Sequence, residues 1–232
     1  MGRAAAADAA RVINGALTQR GEARVILASA PSQNELLENL LATSVDWSRV
    51  TIFHMDEYVG LPADHPATFR SYQQQHVLSR IHPKAFHGIR GESPDTVTEC
   101  SRYAALLCEA PIDVVCLGIG ENGHLAFNDP PVADFTDPLL VKVVELDEIC
   151  QQQQVNDGCF PSIDAVPRQA ITLTIPALLG GRELVCIVPG PRKAAAVRAA
   201  LHGPVDTSCP ASILRRHSNA RLYLDTASAS PL

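Results

Sequence analysis

The chain has 232 residues, of which 46% are hydrophobic and 19% charged, with a formal net charge of −6. That length and balance fit one folded domain with a substantial core rather than a disordered chain, and no apolar run approaches the roughly 18 residues of a membrane span. The 19 basic residues are scattered, which excludes the extended basic face that nucleic acid requires but leaves room for a local pocket holding one small phosphate.

The alanine-rich start reads as a helix running to about Thr18, without the long apolar core of a secretory signal. Strand-like apolar runs follow at residues 24–29, 50–55, 112–117, 170–175, 184–188 and 221–224, and helical periodicity falls at 32–43, 68–79, 96–109 and 192–201. Alternating strands and helices predict an α/β fold: a Rossmann-like, doubly wound, mostly parallel sheet with helices on both faces and a site at the carboxyl ends of its strands. One domain is expected over 1–232. Residues 147–166, which hold Gln151 to Gln154 and Asn156-Asp157-Gly158, are polar and turn-rich and read as a mobile lid; the last six residues read as a loose tail. Seven cysteines, at 100, 108, 116, 150, 159, 186 and 209, form no C-x-x-C pair and no zinc-ligand spacing, as expected of reduced thiols in a cytoplasmic protein.

Two segments carry chemistry. The apolar run 112–117 ends in Gly118-Ile119-Gly120-Glu121-Asn122-Gly123-His124-Leu125-Ala126-Phe127-Asn128-Asp129. Glycines there permit close approach of a ligand to the backbone at Gly118 and Gly120, and the imidazole that leaves the turn titrates near neutral pH. The second segment is Met55-Asp56-Glu57-Tyr58-Val59-Gly60-Leu61, directly after the strand at 50–55. Side chains alternate along an extended chain, so Asp56 and Glu57 are expected to face opposite ways, with one of them toward a ligand. His54 either shares the face of Asp56 or is a hydrogen-bonded histidine near a sheet edge.

Met-Asp-Glu-Tyr-Val-Gly-Leu after a strand, followed some sixty residues later by Gly-x-Gly-x-x-Gly-His-x-Ala-Phe-Asn, resembles the glucosamine-6-phosphate deaminase (isomerase) family, whose fold is shared with 6-phosphogluconolactonase. The likeness runs from about residue 24 to about residue 225. The resemblance implies that Asp56 is the base moving a proton between sugar carbons and that His124 opens the ring. It offers two positions for the partner of the imidazole, Asn122 and Asp129; the family has a glutamate at the second, and the shorter arm of Asp129 could displace its carboxylate by about 1 Å. Lys193, after Gly190-Pro191-Arg192 at a helix start, matches the family's phosphate-binding lysine. The family's glycine-rich loop is replaced by Ala28-Ser29-Ala30-Pro31-Ser32-Gln33, in which Ser29, Ser32 and Gln33 can still donate hydrogen bonds. Glu57 is a supporting candidate among the substrate-binding residues, pairing with a basic group or a backbone amide.

The implied activity is conversion of glucosamine 6-phosphate to fructose 6-phosphate and ammonia, by proton transfers that call for no metal or organic cofactor. The implied partner is a small sugar phosphate, with no nucleic acid and no membrane; a homo-oligomer is compatible with the sequence. Glu121 leaves lactone hydrolysis as an alternative, and the altered loop with Asp129 leaves a non-catalytic sugar-phosphate-binding relative as another. Members of the family open with a strand before the first helix, so that strand is expected to be missing here or the start to be late.

Overall fold

The computed structural model describes residues 1–232. The chain opens with α1 (Gly2–Arg20), β1 (Ala23–Leu27) and α2 (Asn34–Leu41), and β2 (Val50–His54) runs almost directly into β3 (Asp56–Tyr58). Then come α3 (Phe69–Gln73), which continues as a π turn over Gln74–Leu78, β4 (Ala85–His87), α4 (Thr96–Cys108), β5 (Val114–Leu117) and β6 (Val141–Glu145). The remainder holds α5 (Glu148–Asn156), β7 (Gln169–Leu173), α6 (Ile175–Leu179), β8 (Glu183–Val188), α7 (Ala194–His202) and β9 (Ala220–Leu224).

Six strands form one all-parallel sheet in the order β4-β2-β1-β5-β8-β9. Its central strands are apolar on both faces, and their period of two divides them between two cores. Val25, Leu27, Ile52, Val114, Cys116, Val185 and Ile187 pack beneath α1 and α2. Ile26, Phe53, Val115, Leu117, Leu184, Cys186 and Val188 pack on the other face against α4, α6 and α7. Small side chains let α1 lie close: Ala5, Ala6, Ala9 and Ala10 are all buried, and the helix stops at Gly21, whose φ of +83° and N–H to the Leu17 carbonyl make a left-handed cap. No helix is long and apolar enough to cross a membrane.

The doubly wound expectation holds, with one reassignment. The apolar run at 170–175 is not a strand of the main sheet. Its strand, β7, sits between β3 and β6 in a second, antiparallel three-stranded sheet. An apolar run establishes burial but not which sheet supplies its partners, and β3, β4 and β6 are too short or too polar to stand out by periodicity. The expected strand at 24–29 ends at Leu27, where the chain turns off into a 3-10 turn at Pro31–Gln33. A third, aromatic cluster of Tyr58, Phe69, Phe127 and Phe160 packs with Cys150 of α5 beside the second sheet.

Strand order reverses between β1 and β5: the chain builds outward through β2 and β4, then returns to the far side of β1. The loops leaving two adjacent strands therefore diverge, and a crevice opens at their carboxyl ends.

Candidate active site

That crevice is a solvent-open cleft, lined by the loop after β1, the loop after β5, the start of β3, residues of the segment 153–159 and Lys193. The structure brings Ser29, Ser32, Gln33, Asp56, Gly118, Gly120, His124 and Lys193 together around it, although their positions in the chain span more than 160 residues.

Asp56 begins β3, paired opposite Thr172 of β7. It is 7% exposed and forms no ion pair with a lysine or arginine. Burial, and secondarily the adjacent Glu57, hold its carboxyl well above the usual carboxylate range, which makes it a stronger base than a solvated aspartate. Glu57 points the opposite way, as strand alternation predicted. Its oxygens accept from the backbone N–H groups of Tyr58, Phe69 and Arg70, each at 3.0 Å, with the Arg70 Nε 3.6 Å away. Burial pushes its carboxyl up to about 7 against the pull of those donors. It holds the entrance of α3 and does not line the cleft, so its place among the substrate-binding candidates is corrected to a structural one.

His124 leaves the turn after β5 with its ring in the cleft and 7% of its surface exposed. Gly120 is what makes room for it: a Cβ at that position would lie 2.2 Å from the ring Cε1 and Nε2 atoms. The ring Nδ1 lies 2.9 Å from Asp129 Oδ1, approached obliquely to the ring N–H direction. The shorter arm of Asp129 therefore does reach the imidazole. Asn122 does not touch the ring. Its amide nitrogen donates to Asp129 Oδ1 at 2.9 Å and Asp147 Oδ2 at 3.1 Å, while its oxygen accepts from the His124 backbone N–H at 3.0 Å. Of the two positions offered for the imidazole partner, Asp129 fills the role and Asn122 positions Asp129. Burial works to raise the Asp129 carboxyl, but hydrogen bonds and charge from His124, with Asn122 and the Asp147 N–H, outweigh it and keep Asp129 below the ordinary value, hence ionised.

The loop after β5 is pinned from behind. The Asn128 amide nitrogen donates to the Leu125 and Leu173 carbonyls, and the Phe127 N–H donates to Thr172 Oγ1, tying the loop to β7. Ala126, also on the cleft, holds a φ of +52°, a left-handed conformation that costs a non-glycine residue about 1–2 kcal/mol. These side-chain hydrogen bonds hold it there.

Opposite lie the anion-binding candidates. Ser29 Oγ accepts from Gln73 Nε2 at 2.9 Å, which leaves its own proton free to donate. Gln33 Nε2 donates to Ser32 Oγ at 3.2 Å. Lys193 ends the 3-10 turn that opens α7 and is 7% exposed. Burial draws its ammonium pKa down, opposed by Asp157 and Glu121.

Individual cleft residues of the segment 147–166 carry no signal in the sequence. Residues 148–156 form a helix, α5, and Gln153, Gln154, Asp157 and Cys159 line the cleft. Tyr58 donates to Gln154 Oε1 at 2.7 Å, and Gln153 Oε1 accepts from the Glu121 N–H at 2.9 Å. Arg192 clasps Asp157 at 3.0 Å and Glu121 at 3.3 Å; Glu121, the residue that resembles the lactonases, is engaged in that clasp and does not line the cleft. Asp147 directly before Glu148 was the available helix-start signal, but its side chain serves Asn122 instead of capping. His54 is fully buried away from the cleft, its Nε2 accepting from the Ile89 N–H at 2.8 Å.

A model of the family described as glucosamine-6-phosphate isomerases/6-phosphogluconolactonase matches residues 1–224. Glucosamine-6-phosphate deaminases of Lactobacillus delbrueckii subsp. bulgaricus and Listeria innocua are each 35% identical, over 89% of this chain and 86% of theirs. The solved structure of a monomeric glucosamine-6-phosphate deaminase superposes with a TM-score of 0.90 at 30% identity, covering 99% of this chain and 94% of that one. A 6-phosphogluconolactonase from Shewanella baltica, at 22% identity and a TM-score of 0.75 over 94% of this chain and 90% of its own, shares the fold. The chain belongs to the family of glucosamine-6-phosphate isomerases and 6-phosphogluconolactonases.

Proposed function

We propose that this protein is a glucosamine-6-phosphate deaminase, converting glucosamine 6-phosphate and water to fructose 6-phosphate and ammonia. The observation that carries the reading is that Asp56 and the His124–Asp129 pair reach one cleft together with Lys193, in a chain 35% identical to deaminases over 89% of its length.

Lys193, Ser29, Ser32 and Gln33 hold the phosphate, the lysine by charge and the others by hydrogen bonds. His124, its ring fixed by Asp129, takes the proton of the anomeric hydroxyl and returns one to the ring oxygen, which opens the sugar. Asp56 then removes the proton on C2 of the aldehyde form, leaving an enol-amine, and delivers it to C1. The product is the 2-imine of the ketose. Water adds to that imine and ammonia leaves, giving the ketone. Each step moves a proton between positioned groups, for which a raised carboxylate and an imidazole are suited.

The test is incubation of the purified protein with glucosamine 6-phosphate while ammonia and fructose 6-phosphate are assayed together. Folded protein that forms neither removes the proposal. Asp56→Asn is expected to abolish exchange of the C2 proton with solvent while leaving sugar-phosphate binding largely intact; exchange at the wild-type rate removes Asp56 as the base.

A further inference from the structure

Beside the imidazole, and not lining the cleft, stands a group for which ring opening has no use. Cys150 lies on α5 and is fully buried. Its Sγ, the Nδ1 of His124 and a carboxylate oxygen of Asp129 all lie within 4.8 Å of one another, which puts sulfur, nitrogen and oxygen donors from two separate chain segments in one small volume. His124 is more than nine-tenths buried, and its Nδ1 meets no polar partner but Asp129, which stands off the ring N–H direction. The carboxylates of Asp129, Asp56 and Asp147 stand near the Cys150 thiol, and none of the three has a lysine or arginine within ion-pair distance.

We propose that His124, Asp129 and Cys150 form a binding site for a thiophilic divalent cation of the zinc class. A mixed S, N, O donor set suits zinc or cadmium and not magnesium or calcium, which select oxygen. Tetrahedral zinc, with bonds of about 2.3 Å to sulfur and about 2.0 Å to nitrogen, needs its donors roughly 3.5 Å apart. The longest side of the triangle therefore closes by at most about 1.3 Å. Three protein ligands leave a fourth position for water. On binding, the Cys150 S–H bond breaks, the thiolate bonds the cation and the proton passes to solvent. The ion takes Nδ1 of the imidazole, the ring carrying its one proton on Nε2 instead, and it joins α5 to the loop after β5. This assignment stands on the donor geometry and does not depend on which sugar the cleft accepts.

The test uses reduced, metal-free protein with zinc chloride and cadmium chloride as probes. Zinc affinity is measured by competition with a chromophoric chelator, and cadmium–thiolate bonding by its ultraviolet charge-transfer absorbance. The wild type is expected to bind one equivalent and to show the band. Cys150→Ser is expected to lose the band and to bind zinc more weakly by at least the factor, on the order of 10–100, that loss of a supporting group costs a metal site. Cys108→Ser and Cys159→Ser, which remove the exposed and the half-buried thiols, should match the wild type. Absence of stoichiometric binding, equal affinity in Cys150→Ser, or an equal loss in either control variant overturns the assignment. Should Cys150→Ser fail to fold, X-ray absorption of the wild-type zinc complex decides: one sulfur with nitrogen and oxygen neighbours supports the site, and a shell with no sulfur or with several refutes it.

Discussion

Replacing Gly120 with alanine tests how tightly this site is built. The new Cβ would stand 2.2 Å from Cε1 and Nε2 of His124 and 2.4 Å from Cδ2, so the ring must retreat by about 1.2 Å to reach ordinary contact distance. It has no free direction in which to do so. Asp129 Oδ1 already lies 2.9 Å from Nδ1 on the far side, and the Gly120 N–H is bonded to the His124 carbonyl at 3.0 Å, so the two backbones cannot separate without opening the turn. The imidazole has to swing out of register with either Asp129 or the sugar. A misplacement of about 1 Å costs on the order of 10²-fold in rate, equivalent to about 2.7 kcal/mol of transition-state stabilisation, and overpacking adds about 1–3 kcal/mol of destabilisation. Initial rates of ammonia release from glucosamine 6-phosphate should fall mainly in kcat, because Lys193 and the β1 loop are untouched. A thermal melt separates that loss from unfolding. A folded Gly120→Ala protein with kcat within about threefold of wild type, a difference of only about 0.65 kcal/mol, would refute the claim that this glycine sets the ring position.

Three further outcomes are expected. Asp129→Glu should lower kcat by about tenfold or more and destabilise the fold by about 1–3 kcal/mol, because the aspartate is fully buried with both oxygens in use; faster turnover in steady-state assays would refute this. His54 gives a pH signature: unfolded, its imidazole takes a proton below the ordinary 6.5, whereas burial, with Arg70 nearby, lowers the folded value to about 3. Its contribution to stability is whole above 6.5 and drains as the pH falls toward 3, by about 1.4 kcal/mol per pH unit and at most about 5 kcal/mol. Denaturant melts of His54→Gln, whose amide oxygen can still accept from the Ile89 N–H, should show a shallower loss of stability between pH 6 and about 4; an unchanged slope removes His54 as the cause. Arg192→Ala should raise KM by about threefold to tenfold with little change in kcat, since it frees Asp157 beside Lys193; Arg192→Ala combined with Asp157→Ala should recover most of that loss. Melting should barely move, because the Arg192 side chain is half exposed and such pairs contribute about 0–1 kcal/mol.

What the sequence alone determined about this protein is what local chemistry dictates. Two-sided apolar runs such as 112–117 and 184–188 read as buried strands of an α/β sheet. The glycine spacing at 118–123 demanded a turn at a strand end, and the alternation of Asp56 with Glu57 separated the residue facing the cleft from the one facing the protein. Tertiary structure alone decided matters that depend on partners distant in the chain. The run at 169–173 joined a second sheet because its neighbours are β3 and β6, and neither is legible from within the run itself. The reach of Asp129 to His124 depends on where the backbone between them folds back, which the length of a side chain does not reveal. The polar helix α5 carries no apolar stripe to mark it; its glutamines and Cys150 acquire meaning only from what stands opposite them. Hydrophobic periodicity records which face of an element is buried, whereas a functional group is defined by the atoms it meets, and only the folded chain brings residues 28–33, 56, 118–120, 124, 126–127, 153–154, 157, 159 and 193 to the rim of one crevice.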